Sequence, residues 1–329
     1  MSRFRLPRPL AVEVVVWASA CVGVGFLLAR GLDMNLGTVR YTWQAFWHRL
    51  PSVLALGLAL QLAAHLVRWR SPAGWARAVL APGALVELAR LWLALFVMTY
   101  TYSWLKVCVP LVHHGLYDAA LWKLDRWLHL GVSPTLFLAE LLAGGRALPW
   151  IDAWYSLWLT SVVATQAYFL FSPERRRRAN FALACAALWL AAVWIYVAVP
   201  AVGPCFFVPE AFSAELRAAM PQASALQQKL WANYLQIVGG RSGSLAQFKP
   251  FFAVAAMPSV HVGAHWLFAL WARRHARPLF PWFAAATGLT LLGSVATGWH
   301  YAVDGYAGML LAWGAARVAD RFEPVAASS

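Results

Sequence analysis

Eight long apolar runs constrain this chain more than any other feature of its sequence. They cover roughly residues 10–29, 51–67, 84–105, 150–171, 181–201, 258–272, 279–297 and 301–319. A helix that crosses the hydrocarbon core of a bilayer needs about 20 mostly apolar residues, because the core is about 30 Å thick. The runs therefore predict the all-α class, as a polytopic membrane helical bundle with about eight transmembrane helices.

The composition excludes the other main classes of protein. Hydrophobic residues make up 61% of the chain and charged residues 12%, whereas a soluble domain is nearer half apolar and a quarter charged. So little polar surface does not cover a soluble globule. The same apolar content excludes a disordered chain, and four cysteines are too few for a disulfide-rich secreted protein.

The net charge of +14 predicts how the chain is oriented in the bilayer. Many cations lie in short segments between the apolar runs, and the run from Arg175 to Arg178 is the densest of them. Short cytoplasmic segments carry an excess of Lys and Arg, so we expect cytoplasmic N- and C-termini in a bacterial inner or plasma membrane. This pattern explains the charge without a nucleic-acid partner.

Two longer segments then face the opposite side, at 106–149 and 202–257. Within the first, residues 116–130 alternate acidic and basic side chains with Leu and Trp, which favours an amphipathic helix in the membrane interface. Cys108 and Cys205 both fall on this outer side, and we expect two free thiols rather than a disulfide. Inside the third run, Glu87 and Arg90 are three residues apart and are expected to pair on one helix face.

Two histidine segments stand out at the ends of the apolar runs. They are Met257-Pro258-Ser259-Val260-His261, which opens the sixth run, and Thr297-Gly298-Trp299-His300-Tyr301-Ala302-Val303-Asp304, which joins the seventh and eighth runs. The orientation derived from the cations puts both segments at the outer ends of helices. Two histidines and an aspartate on one membrane face outweigh the alternative that each histidine is an interfacial residue without a chemical role.

The residue types in these segments suit phosphoryl transfer. Pro258 as a first helical residue leaves free N–H groups that favour an anion. His300 and Asp304 are four residues apart, so a helix brings them to one face. The carboxylate can accept one ring N–H and leave the other nitrogen free to attack, while His261 can protonate a leaving oxygen.

These segments resemble the type 2 phosphatidic acid phosphatase superfamily, whose motifs contain Pro-Ser-x-His and His-x-x-x-Asp. Met-Pro-Ser-x-His followed by Thr-Gly-x-His-Tyr-x-x-Asp is closer to the inositol phosphorylceramide synthase-like branch. The resemblance covers about 116–318. We therefore expect about three N-terminal transmembrane helices in 1–110, a catalytic domain in 111–320 and a C-terminal tail in 321–329.

The resemblance implies a six-helix catalytic core, no metal, no cofactor and an extracytoplasmic active site. His300 is implied as the nucleophile that forms a phosphohistidine, Asp304 as the residue that orients it, and His261 as the general acid. The family's usual Lys-x6-Arg-Pro motif is missing, and Gly293 and Ser294 replace its usual Ser-Arg pair. The predicted phosphate-binding residues are therefore Lys249, Arg241, Ser259 and Tyr301.

These residues predict an integral-membrane enzyme that acts on a lipid phosphate or phosphodiester, with phosphotransfer to an alcohol acceptor favoured. The alternative within the superfamily is a lipid phosphate phosphatase for phosphatidate or a polyprenyl phosphate, because water attacks the same intermediate. The alternative from another class is a non-enzymatic lipid transporter or scramblase. The clustering of polar residues at one face disfavours transport, which usually places polar groups at the bilayer midplane.

Overall fold

The structure is a computed structural model that describes residues 10–32, 36–67, 71–240 and 253–322. Over these ranges the regular elements are helices, and no strand occurs. The α-helices are α1 (Ala11–Leu28), α2 (Leu36–Val67), α3 (Pro72–Leu80), α4 (Pro82–Val112), α5 (Asp118–Leu128), α6 (Pro134–Leu142), α7 (Ala147–Ser156), α8 (Trp158–Leu170), α9 (Arg175–Ala198), α10 (Pro204–Phe207), α11 (Ala214–Ala219), α12 (Pro221–Val238), α13 (Val260–His275), α14 (Phe280–Ala296) and α15 (Ala302–Phe322).

Every predicted apolar run is helical, but the runs are not all equally suited to crossing a bilayer. Five segments of the described chain are long and apolar enough to do so: Ala11–Leu28, Trp47–Leu66, Pro82–Val112, Arg175–Ala198 and Arg277–Ala296. The fourth run is divided at Leu157 between α7 and α8, and α13 has only 16 residues. The chain is thus an all-helical membrane protein, while the count of eight crossings stays a prediction.

Two glycines let α13 and α15 pack backbone to backbone. A Cβ atom on Gly308 would lie 2.2 Å from the Ser259 carbonyl oxygen, and one on Gly263 would lie 2.8 Å from the Gly308 oxygen. Only a residue without a side chain fits such an approach. This contact brings the first turn of α13 beside the first turn of α15, where His261 and Asp304 lie.

Charged pairs fasten the opposite ends of these helices. Arg274 near the end of α13 donates to both Asp320 oxygens of α15 at 2.6 and 2.7 Å. In α4, Glu87 pairs with Arg178 of α9 at 3.1 Å and with Arg175 at 2.5 Å. These arginine pairs define the basic end of the bundle, and His261 lies at the other end of α13, about 20 Å from Arg274 by helix rise.

Glu87 and Arg90 interact electrostatically within α4, as predicted, but each group also forms a hydrogen-bonded ion pair with a neighbouring helix. Glu87 turns to α9, where the 2%-exposed Arg178 side chain needs a carboxylate because an unpaired buried charge is costly. Arg90 turns to α1 and donates from Nε to Glu13 at 2.7 Å. Both ion pairs thus join neighbouring helices, and they fasten α4 between α1 and α9.

Helix α5 buries acidic side chains and exposes large apolar ones. Asp118 and Asp125 are 0% and 2% exposed, whereas Trp127 is 75% exposed and Leu130, just after the helix, is 97% exposed. A soluble protein would bury the apolar side chains and expose the acids. The arrangement suits the predicted helix in the membrane interface, because its outward face carries Trp127 and Leu128 beside the cations Lys123 and Arg126.

The four cysteines are free thiols. Cys108 in α4 and Cys205 in α10 are both buried, which agrees with the expectation of two separate thiols. Burial raises the pKa of the Cys205 thiol above its ordinary value. Since the thiolate is the reactive form of cysteine, Cys205 is poorly suited to act as a nucleophile.

Candidate active site

The backbone of His300 is held by the end of α14. The N–H groups of Trp299 and His300 both donate to the Ser294 carbonyl, at 2.9 and 3.1 Å. The turn passes through Gly298 at φ 76°, and a Cβ atom there would lie 2.2 Å from the Phe212 ring. Glycine at this position is thus required both by the backbone conformation and by the space.

The imidazole of His300 is oriented through its Nδ1 atom. Nδ1 lies 2.9 Å from the Ala256 carbonyl oxygen and 3.5 Å from Oδ2 of Asp304. Both oxygens accept hydrogen bonds, so Nδ1 carries the ring proton of the neutral imidazole and Nε2 carries the lone pair. The geometry therefore leaves Nε2 as a nucleophile, and its shorter contact is a carbonyl that no sequence motif marks.

Asp304 connects the two histidine motifs. Its side chain is 0% exposed, and Oδ2 accepts a hydrogen bond from the Tyr301 N–H at 3.0 Å. Its carbonyl oxygen accepts from the Ser259 N–H at 2.9 Å. The start of α13 and the start of α15 are thus one hydrogen-bonded unit.

His261 lies in the first turn of α13, between two aromatic rings. Its ring centroid is 4.1 Å from that of Trp158 and 5.3 Å from that of Tyr155. The Trp158 indole N–H also donates to the His261 carbonyl at 3.0 Å. Within the described part of the chain, the His261 ring nitrogens have no hydrogen-bond partner, so this imidazole is fixed by packing and keeps both nitrogens available.

The two histidine rings face one small volume. Their centroids are 5.6 Å apart, which is close enough for both rings to contact a single phosphoryl group. By contrast, His265 lies one turn further along α13 and has both nitrogens engaged, at 2.7 Å from Ser161 and 2.7 Å from Thr290. His265 is thus a satisfied core histidine, whereas His261 is not.

Helix α13 begins later than the sequence predicts, and this changes the role of Ser259. The helix starts at Val260 rather than Pro258, with Ser259 as its N-cap. The Ser259 hydroxyl accepts the Val262 N–H at 3.4 Å, and Ser259 is 0% exposed. The N–H groups expected to bind an anion are partly used within the protein, so Ser259 supports the helix start, and its phosphate contact stays a prediction.

Tyr301 also has a supporting position, and its phosphate contact stays a prediction. It is 0% exposed, and its hydroxyl donates to Oδ1 of Asp118 at 2.9 Å. The hydroxyl therefore ties the His300 segment to α5. Of the other predicted phosphate-binding residues, Lys249 and Arg241 lie outside the residues that the structure describes.

Three buried aspartates fix distant segments of the chain around this site, a role that no sequence motif predicts. Each carboxylate accepts the N–H groups of two consecutive residues in a distant segment. Asp118 binds Val202 and Gly203, Asp125 binds Ala302 and Val303, and Asp152 binds Gln222 and Ala223, all at 2.8–3.3 Å. Such carboxylate caps satisfy the free N–H groups at helix starts, so they fix α12, α15 and the segment before α10.

The pKa of Asp125 shows the balance of forces in these caps. Burial raises the pKa of the Asp125 carboxyl above its ordinary value, while hydrogen bonds from the Val303 and Ala302 N–H groups act in the opposite direction. The only sequence signal for this cap was the spacing of Asp118 and Asp125, seven residues apart on one face of α5.

A cavity of about 610 Å³ opens beside His261. Its walls include Tyr155 and Trp158 as well as Lys106 of α4, a cation that the sequence analysis did not single out. No sequence pattern indicated a role for Lys106, because it follows an apolar run and lies outside the recognised motifs. Among the described residues, no three His, Cys, Asp or Glu side chains are grouped to hold a metal ion.

The family model described as the PAP2 superfamily matches residues 119–318. The matched range contains both histidine motifs, while α1–α4 precede it. No curated protein and no solved structure matches the chain.

Proposed function

We propose, since this chain belongs to the PAP2 superfamily, that it transfers the phosphoryl group of a lipid phosphate or phosphodiester through a phosphohistidine on His300. Membership makes the chain a phosphatase or phosphotransferase of that superfamily, acting on lipid phosphates in the bilayer. The proposal adds the intermediate, the roles of individual residues and the preferred acceptor.

The reaction has two steps at phosphorus. In the first, a bond forms between Nε2 of His300 and phosphorus while the bond from phosphorus to the leaving alcohol breaks, and protonated His261 gives its proton to that oxygen. In the second, an alcohol or water attacks phosphorus and gives its proton to His261. The nitrogen–phosphorus bond then breaks, and both histidines return to their starting states.

The observation that carries the proposal is the fixed tautomer of His300. Contacts from Nδ1 to the Ala256 carbonyl and Asp304 leave the lone pair on Nε2. The neighbouring His261 ring is free of hydrogen bonds in the described structure and 5.6 Å away by centroids. A nucleophile and an acid within reach of one phosphorus atom are the groups that the two steps require.

The sequence motifs support an alcohol as the favoured acceptor. Thr297-Gly298-x-His300-Tyr301-x-x-Asp304 resembles the synthase-like branch more closely than the simple phosphatases, and an alcohol and water compete for the same intermediate. In this proposal, residues 111–320 form the catalytic domain, with the N- and C-termini in the cytoplasm. The site then faces the extracytoplasmic side, since it lies at the end of α13 remote from Arg273 and Arg274.

A trapping experiment tests the intermediate. The purified protein is mixed with phosphatidic acid that carries ³²P in its phosphate, quenched in alkali and separated from lipid. We expect label on the wild type that survives alkali and is lost in acid, as a phosphoramidate is, and no label on His300→Ala. Acid-stable label, or equal label on His300→Ala, would contradict the proposed nucleophile.

A second measurement tests the acceptor. Turnover of a phospholipid is followed by mass spectrometry with a lipid alcohol or a polyol present or absent. With phosphatidic acid as the donor, phosphotransfer predicts that the phosphomonoester of the added alcohol appears at the expense of free phosphate as the alcohol is raised. Release of free phosphate alone at every alcohol concentration would instead favour the lipid phosphate phosphatase.

A further inference from the structure

We propose that α4 completes the substrate site, with Lys106 binding the phosphate of the lipid substrate and the cavity along α4 holding its hydrocarbon chain. The proposal rests on the proposed function and gives a role to helices that precede the range matched by the family. It also supplies a cation for a site in which Ser259 and Tyr301 are occupied with structural contacts.

The cavity follows one face of α4. The lining residues Trp92, Leu95, Thr99, Tyr102 and Lys106 recur every three or four positions, as one helix face requires. From Trp92 to Lys106 the helix rises about 21 Å, which is about two thirds of the thickness of a hydrocarbon core. The cavity is therefore elongated along a helix long enough to cross the membrane.

The cavity reaches His261, the proposed general acid. Lys106 and His261 line the same 610 Å³ space, and they are close enough for the ammonium charge to act on the imidazole. The remaining walls come from α8, from α7 with Asp152, from α12, and from Arg49 and Val53 of α2. A ligand that fills this space thus meets Lys106 and His261 within one cavity whose other walls are mainly apolar.

The Lys106 ammonium has no anionic partner in the described structure. Its Nζ atom lies over the rings of Tyr196 and Tyr102, at 5.3 and 5.8 Å from their centroids, and no carboxylate pairs with it. An unpaired charge inside a membrane protein is costly and usually marks a site for a ligand or an ion. The other cation of the lining, Arg49, is exposed.

These features together fit a ligand with an anionic head and a long apolar chain. A phosphate at Lys106 would neutralise the ammonium and lie beside His261, where developing charge on the phosphoryl group needs compensation. A free inorganic phosphate would use the cation but not the apolar walls. A neutral lipid would use the walls but leave the cation unpaired.

The first test removes the charge and keeps the stem. Lys106→Met, Lys106→Arg and the exposed control Lys123→Met are each made in the wild type and in the His300→Ala background. In the inactive background, binding of short-chain phosphatidic acid in detergent is measured by calorimetry. We expect Lys106→Met to raise Kd by about tenfold or more, because hydrogen bonds to charged groups are strong, while Lys106→Arg and Lys123→Met stay near the parent.

Equal Kd values for Lys106→Met and its parent, with both proteins monodisperse and of equal Tm, would overturn the role of Lys106. Because this binding is measured without turnover, it does not depend on His300 chemistry. If the wild type forms no ³²P adduct in the trapping experiment while Lys106→Met still raises Kd, the proposed reaction is contradicted but the binding site is not. Equal affinity for inorganic phosphate and phosphatidic acid would contradict the chain-binding part.

The second test fills the cavity. Thr99→Trp adds bulk to the lining, and Leu93→Trp adds the same bulk to a 43%-exposed position of α4 outside the lining. For long-chain phosphatidic acid we expect KM to rise by about tenfold in Thr99→Trp alone, in line with the cost of overpacking. For the chainless p-nitrophenyl phosphate we expect kcat/KM to stay within twofold. Equal losses on both substrates, or unchanged KM for the long-chain lipid, would overturn the cavity as the chain site.

Discussion

The two ends of the helical bundle use their carboxylates differently. At the histidine end, Asp118, Asp125 and Asp152 are 0–2% exposed and bind backbone N–H groups. At the basic end, carboxylates pair with arginine side chains instead: Glu87 is buried with Arg178, and the Arg274–Asp320 pair is 30% and 37% exposed. Buried bonds to the backbone fix where a segment lies, whereas exposed ion pairs contribute little. The difference indicates which end must hold its geometry.

The largest expected difference is in kcat, between substitutions of a histidine at each end of the bundle. His300→Ala should lower kcat on a lipid phosphate by on the order of 10⁴-fold or more, because removal of a nucleophile leaves only binding and electrostatics. The control His275→Ala lies in the last turn of α13, at the basic end, and should stay within about twofold. A rate for His300→Ala close to the wild type would show that the histidine end is not the reacting end.

His261 should give a smaller effect that depends on the leaving group. With a lipid alcohol as leaving group, His261→Ala should lower kcat by about 10²–10⁴-fold, the usual contribution of a general acid. With p-nitrophenyl phosphate the loss should shrink to about tenfold, since p-nitrophenolate leaves without a proton. The two substrates are compared in one detergent, and an identical loss on both would argue against His261 as the acid.

Removing one carboxylate at each end should lower the free energy of unfolding more at the histidine end than at the basic end. Asp125→Ala leaves two N–H groups at the start of α15 without their partner and should lower the free energy of unfolding by about 2 kcal/mol or more. Asp320→Ala removes an exposed ion pair and should cost below about 1 kcal/mol. Tm values by scanning fluorimetry test this order. A larger loss for Asp320→Ala would reverse the comparison.

The smallest expected effect compares two glycines of α15. Gly308→Ala puts a methyl group 2.2 Å from the Ser259 carbonyl and should destabilise the protein by about 1–3 kcal/mol while moving His261 away from Asp304. Gly314→Ala meets nothing within 4 Å and should leave stability unchanged or raise it by up to about 1 kcal/mol. Tm and kcat are measured together. Equal behaviour of the two variants would refute tight packing at the histidine end.

Much of the fold and part of the site followed from local sequence patterns. Apolar runs of membrane length predicted helices that the structure contains. The spacing of His300 and Asp304 predicted their contact at 3.5 Å, although His300 precedes α15 and does not share a helix with Asp304. The split between α7 and α8 was missed because both halves are apolar. The start of α13 was misplaced because Pro258 and Ser259 are both common at helix starts.

The sequence by itself determined the class of protein, the helical runs, the gathering of cations at alternate segments and the two histidine motifs. These depend on residues that are close along the chain, where periodicity and spacing act. Only the tertiary structure decided that the Ala256 carbonyl orients His300, that Asp118 and Asp125 hold segments far along the chain, and that Lys106 lies beside His261. Those contacts join distant positions, and packing rather than local pattern selects them.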